Sequence, residues 1–170
     1  MLQYLKADDS GKLTIRENLV KGSWIRCERP NEEEISQLLS LGIDADIITD
    51  ALDPHEVPRL DADNERTYLI ARLPDTDDDF NDFTTPILFV IHADYIITIS
   101  RDSLGRLWQP FIDKHVVSTS SRITLLVDMI DALATQYQRR VAAINRQMRA
   151  ATGDIRTLRA RDIATLAEYE

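Results

Sequence analysis

The sequence predicts an α/β fold: a mixed β-sheet sandwiched between helical layers and followed by long C-terminal helices. Three observations carry this. The runs 66–74, 85–92 and 94–100 are rich in β-branched and aromatic residues and nearly continuous in apolar character, the pattern of strands covered on both faces. Ahead of them lies a segment with apolar residues at helical spacing between a capping signal and a glycine stop. Beyond residue 122 the apolar residues recur every three or four positions without interruption. A chain of 170 residues suffices for one domain with an appendage, burying roughly 70% of its unfolded surface. The expected division is an α/β domain over 1–118 and a helical arm over 119–170.

Taken in order, "KLTIRE" (12–17) and "SWIRCE" (23–28) predict two short strands separated by a turn containing Gly22. In "PNEEEISQLLSLG", Asn31 is placed to cap a helix, Glu34 to complete the capping box, and Gly42 to end it, with Ile35, Leu38 and Leu39 on one face. A second short helix runs from an Asp44 cap through Ile47 and Ile48 towards Leu52. Pro54 ends it, because the residue before a proline avoids the helical region. The strand 85–92 and the strand 94–100 are joined only through His92-Ala-Asp94, which predicts a hairpin. Leu126, Ile130, Leu133, Tyr137, Val141, Ile144 and Met148 form a seam along a long helix ending near Gly153. Asp154 can cap a further helix that runs to the last residue. The seam fits a layer packed on the sheet in its first half, and equally an arm reaching a partner or another domain.

Composition and charge narrow the function. The net charge is −9, and residues 28–82 alone carry seventeen acids against four bases. Such a region repels phosphate backbones and concentrates cations, so the sequence predicts cations or basic partners and no nucleic acid. A single cysteine, Cys27, excludes an internal disulfide and a Cys-rich zinc motif, and is expected as a small buried hydrophobe. The N-terminus has no signal-peptide pattern, and the longest apolar run, 87–91, is far short of the ~20 residues of a membrane helix, so a soluble chain is expected. The acidic stretch "DTDDDFND" (75–82) begins like a calcium loop, but Phe80 and Pro86 stand where glycine and glutamate are needed. The five glycines form no Gly-rich phosphate loop, the histidines at 55, 92 and 115 are not paired at metal-ligand spacing, and no nucleophile elbow occurs. No enzyme is predicted.

The segment "DALDPHEVPRL" (50–60) gathers acids, a histidine and two prolines. On composition alone Asp50 is an acid on an exposed helix end, the prolines fix a turn, and Arg59 neutralises neighbouring acids. A metal role enters by resemblance. Trp24, Ile25, Pro30, Glu33 and Glu34, then the Asp50 to Arg59 segment, then a strand ending Ile-Ile-Thr, and finally "LVDMIDALATQYQRRVAAINRQM", are similar to the cytoplasmic domain of CorA-type divalent-cation transporters. The resemblance covers nearly the whole chain. Arg26 departs from the acidic or amide residue usual after Trp-Ile, and the pore's two membrane helices with their Gly-Met-Asn signature are absent. The chain is therefore expected to be the soluble, cytoplasmic portion of a longer cell-membrane protein.

The resemblance implies a domain that senses divalent cations, Mg2+ above all, at the interfaces of a homopentamer and couples them to gating of Mg2+ or Co2+ transport. It implies Asp50 as a metal ligand and Asp131, in "MIDAL", as a second. Thr49 stands where relatives often carry another acid, which weakens the expected site. Mg2+ keeps most of its water and is held by one or two carboxylates, so Asp50 without a facing acid binds poorly. The alternatives are a zinc transporter domain of the ZntB kind, a free-standing acidic interaction domain, and an enzyme with an unrecognised site.

Overall fold

In the computed structural model, residues 1–76, 82–113 and 117–152 are described. Most of the acidic stretch 75–82, His115 and the helix expected from Asp154 onward lie outside them. Among the described residues, seven strands form a mixed sheet: β1 (Leu2–Ala7), β2 (Leu13–Arg16), β3 (Ser23–Glu28), β4 (Arg59–Ala62), β5 (Arg66–Thr76), β6 (Asp82–His92) and β7 (Tyr95–Ser100), in spatial order β2-β1-β3-β7-β6-β5-β4. Only β3 and β7 run parallel, with Trp24 opposite Ile96; the other neighbours are antiparallel. Two helices, α1 (Glu32–Ser40) and α2 (Ala45–Leu52), connect β3 to β4, and α3 (Gly105–Ile112) and α4 (Arg122–Thr152) follow β7.

The sheet is covered on both faces, as the continuous apolar runs require. On one side Ile25, Ile70, Leu88, Val90, Ile97 and Ile99 pack against Leu38, Ile48 and Ala51 of α1 and α2. On the other, Trp24, Ile87, Phe89 and Ile96 meet Trp108 and Phe111 of α3 and Leu125, Met129 and Leu133 of α4. Each such side chain contributes about 1.5–3 kcal/mol when fully buried. Trp24 sits edge-on to Trp108 at 4.9 Å and donates its indole N–H to Thr98 at 2.9 Å, which satisfies its polar atom inside the core.

The first helix forms as its sequence directs. The Asn31 side chain accepts from the Glu34 N–H at 2.8 Å, and the Glu34 carboxylate accepts from the Asn31 N–H at 3.0 Å. Gly42 follows at φ 80°, where a side chain is strained, and a Cβ there would stand 2.9 Å from the Arg66 guanidinium. The β6–β7 hairpin is present, with Ile91 opposite Ile96.

Three features depart from the expectation. β1 is an additional strand lying between β2 and β3, so the two expected opening strands do not pair with each other. α3 is also additional. Its Pro110 lacks the N–H that would bond the Arg106 carbonyl, and the Gln136 side chain of α4 donates to that carbonyl instead, at 3.3 Å. Finally, β4 is an additional strand, whereas α4 is the long helix expected: the first half of its seam packs on the sheet through Leu133, Leu126 and Ile130 beside Leu125 and Met129, and Tyr137 and Val141 further along are 38% and 54% exposed. Among the described residues no helix is long and apolar enough to cross a membrane.

Candidate functional site

The site is built by the end of α2 and the turn that leads into β4. Ile48 and Ala51 face the core, which leaves Asp50 at the margin of the helix with a third of its side chain exposed. The helix stops at Asp53, held extended before Pro54, and its carboxylate accepts from the His55 N–H at 2.8 Å. The chain then turns through Glu56 to Arg59, the first residue of β4.

Arg59 is the hub. Its guanidinium donates to Asp50 through Nη2 at 2.5 Å, to Asp61 through Nε at 2.6 Å, and to Glu56 through Nη1. The bonds from Asp61 and Asp50 raise the guanidinium pKa still further, so Arg59 is a permanent cation. Three carboxylates against one guanidinium leave two negative charges uncompensated. A second arginine, Arg72 of β5, fixes the turn from beneath. It donates to the carbonyls of Pro54 at 3.0 Å and Glu56 at 2.5 Å, and to the Thr84 hydroxyl at 2.6 Å. The acidic turn is thus stitched to the sheet by two cationic side chains.

Asp131 lies elsewhere. It is exposed on α4, which packs on the opposite face of the sheet from α2. Asp50 and Asp131 therefore cannot ligate one ion within a single copy of the chain. Among the described residues no group of three or more His, Cys, Asp or Glu is arranged to hold a metal. The donor chemistry around Asp50 nevertheless suits a hard cation, since Asp50, Glu56 and Asp61 offer carboxylate oxygens only. What stands among them is Arg59, in the position a cation would take. Of the softer donors, His55 lies in the turn itself, Cys27 is buried, its thiol pushed up to about 12 by that burial, and His92 stacks on Tyr95 at 4.4 Å.

Sequence reasoning singled out Asp50 and the neutralising role of Arg59, and missed Glu56, Asp61 and Arg72 as its partners. Arg72 was signalled by its place: an arginine inside an otherwise apolar strand needs dedicated acceptors. Asp61 becomes a partner only because β4 is a strand, which puts it two residues from Arg59 on the same face.

A family model described as "CorA-like Mg2+ transporter protein" matches residues 21–165. No curated protein matches the sequence. Among solved structures, the complete CorA magnesium transporter of Methanocaldococcus jannaschii superposes with a TM-score of 0.74 at 20% identity, over 90% of this chain and 50% of that one. The soluble domain of the same CorA gives 0.74 at 20% identity, over 89% and 63%. The cytoplasmic domain of ZntB from Vibrio parahaemolyticus gives 0.69 at 15% identity, over 90% and 66%. The chain thus spans between half and two thirds of the length of these neighbours.

Proposed function

Because the chain belongs to the CorA-like Mg2+ transporter protein family and carries the fold of a CorA soluble domain, we propose that it is the cation-sensing cytoplasmic domain of a divalent-cation transporter. In this reading it works as part of a homopentamer, and Mg2+ bound at subunit edges holds the assembly closed. The family match over residues 21–165 carries the reading. This reading assigns membrane insertion and the pore to segments outside this chain.

Asp50 is the proposed ligand, with Glu56 and Asp61 beside it. The uncompensated charge of the cluster supports this, since it lowers the cost of bringing a divalent ion to the edge. So do Val57 and Leu60, which flank Arg59 with 63% and 67% of their surface exposed and suit a neighbouring subunit better than water. Asp131 is proposed as a ligand of a separate edge, on the other face of the sheet. The oxygen-only donor set favours Mg2+ over zinc as the sensed ion. The likeness to the ZntB cytoplasmic domain supports a zinc transporter as the second reading.

The test is transport measured against internal Mg2+ in the protein joined to its membrane segments. Asp50→Asn keeps shape and removes charge, and should raise the Mg2+ needed for inhibition without altering which ion permeates. Asp53→Asn, in the same turn but outside the Arg59 cluster, serves as the control. Inhibition curves for Asp50→Asn that coincide with wild type make Asp50 an ordinary surface acid. A stop codon directly after Glu170 in the gene, in place of two apolar segments of ~20 residues, removes the transporter reading altogether.

A further inference from the structure

Opposite the acidic turn, the same small molecule carries a cationic cleft of about 520 Å3, a volume within the range of small-ligand sites. Four arginines from three parts of the chain line it: Arg29 after β3, Arg106 on α3, and Arg139 and Arg140 on α4, against one acid, Asp75. This convergence runs against a net charge of −9. Among the described residues Arg29 and Arg139 form no ion pair, and Arg106 meets Asp75 only at 3.9 Å with 89% of its side chain in solvent. The guanidinium groups of Arg29, Arg106 and Arg139 repel one another across the cleft, and a ligand anion relieves that cost.

Two further observations point the same way. The N-terminus of α3 opens onto the cleft through Ser103, Leu104 and Arg106, and no side chain caps it, although the Ser103 hydroxyl donates to the Glu28 carboxylate beside it at 3.2 Å. Arg29 is the one non-glycine residue at positive φ among those described, at 48°, and backbone strain of this kind is stored at ligand sites. The cleft is not purely polar: Leu73, Leu104, Leu107 and Ala143 supply apolar walls between the arginines.

We propose that this cleft binds a nucleoside polyphosphate, its phosphates on Arg29, Arg106 and Arg139 at the start of α3 and its base against the apolar wall. Planar guanidinium groups suit phosphate oxygens through paired N–H donors, and they stack on flat rings. The missing Gly-rich loop does not count against this, because arginine side chains rather than backbone N–H groups do most of the holding. No chemistry on the ligand is involved. The inference stands apart from the Asp50 reading, since it uses other residues on the other side of the sheet.

Calorimetric titration of the 170-residue chain with ATP, adenosine and inorganic pyrophosphate at low salt tests it. ATP should bind, adenosine should give no heat, and pyrophosphate should bind several-fold more weakly than ATP. Arg139→Gln should weaken ATP roughly tenfold or more. Arg29→Gly should weaken it similarly while leaving the melting temperature unchanged or higher, because glycine removes both the charge and the strain. Arg16→Gln, on exposed β2, is the control for diffuse attraction. The absence of ATP binding overturns the proposal, and so does an Arg16→Gln loss equal to that of Arg139→Gln. Pyrophosphate binding as tightly as ATP overturns the nucleoside assignment.

Discussion

Around Arg59, one guanidinium meets Asp50, Glu56 and Asp61, so a divalent ion approaching Asp50 competes with a tethered cation already in place. Removing that competitor exposes the carboxylates. Arg59→Gln should therefore bind Mg2+ more tightly than wild type, by up to about fivefold, since the lost competitor is worth at most ~1 kcal/mol as a partly exposed ion pair. Amide chemical shifts of residues 50–61 followed through a Mg2+ titration would report it, and unchanged affinity would mean that Arg59 and metal do not share Asp50. At Glu34 the charge is used for structure instead. Burial raises its carboxyl, but bonds from the Met1 amine and the Asn31 and Leu2 N–H groups outweigh this and hold it below the usual carboxylate range. A depressed folded-state pKa contributes stability that is present above the unfolded value and lost as pH falls through the folded one. Wild type should thus exceed Glu34→Gln in stability at neutral pH. The gap should close progressively below about pH 4, as denaturant titrations at stepped pH would reveal.

Among the elements, legibility followed how locally each is encoded. α1 was readable to its caps because Asn31, Glu34 and Gly42 each act within a few residues of the helix they bound. Asn31→Ala should accordingly cost about 1 kcal/mol in denaturant unfolding. The central strands were readable from their apolar runs. β1 and β4 were not, since "LQYLKA" and "RLDA" acquire strand character from the neighbours they pair with. α3 was hidden by Pro110, whose cost is met at the Arg106 carbonyl by Gln136, thirty residues beyond Arg106 on another helix. On α4 the seam was readable through Leu126, Ile130 and Leu133, but not that Leu125 and Met129 beside it are the more deeply buried. Of the site, the Asp50 turn was visible as a cluster of acids and prolines, whereas Arg72 acquires its role only when β5 passes beneath that turn. Arg72→Ala leaves the Pro54 and Glu56 carbonyls without their donor, and should lower stability by roughly 1–3 kcal/mol while loosening the turn that presents Asp50.

For the whole molecule, charge is divided rather than spread. Residues 28–82 hold seventeen acids and four bases, with the Arg59 cluster at one margin, while the arginine cleft lies across the sheet. Copies brought edge to edge at the acidic region repel one another, and a divalent ion between them replaces repulsion with attraction to both. Monovalent salt screens the same repulsion without bridging, so the two effects separate at matched ionic strength. The chain by itself should sediment as a monomer or weak oligomer in chelator. It should shift towards larger species in millimolar Mg2+ by more than an equivalent concentration of sodium produces, since a ligand that binds the assembled form stabilises it by mass action. Asp50→Asn should blunt the Mg2+ shift and leave the sodium response intact. A tight pentamer in chelator, or equal responses to Mg2+ and sodium, would place the forces of assembly outside the acidic edge and take the sensing role away from Asp50.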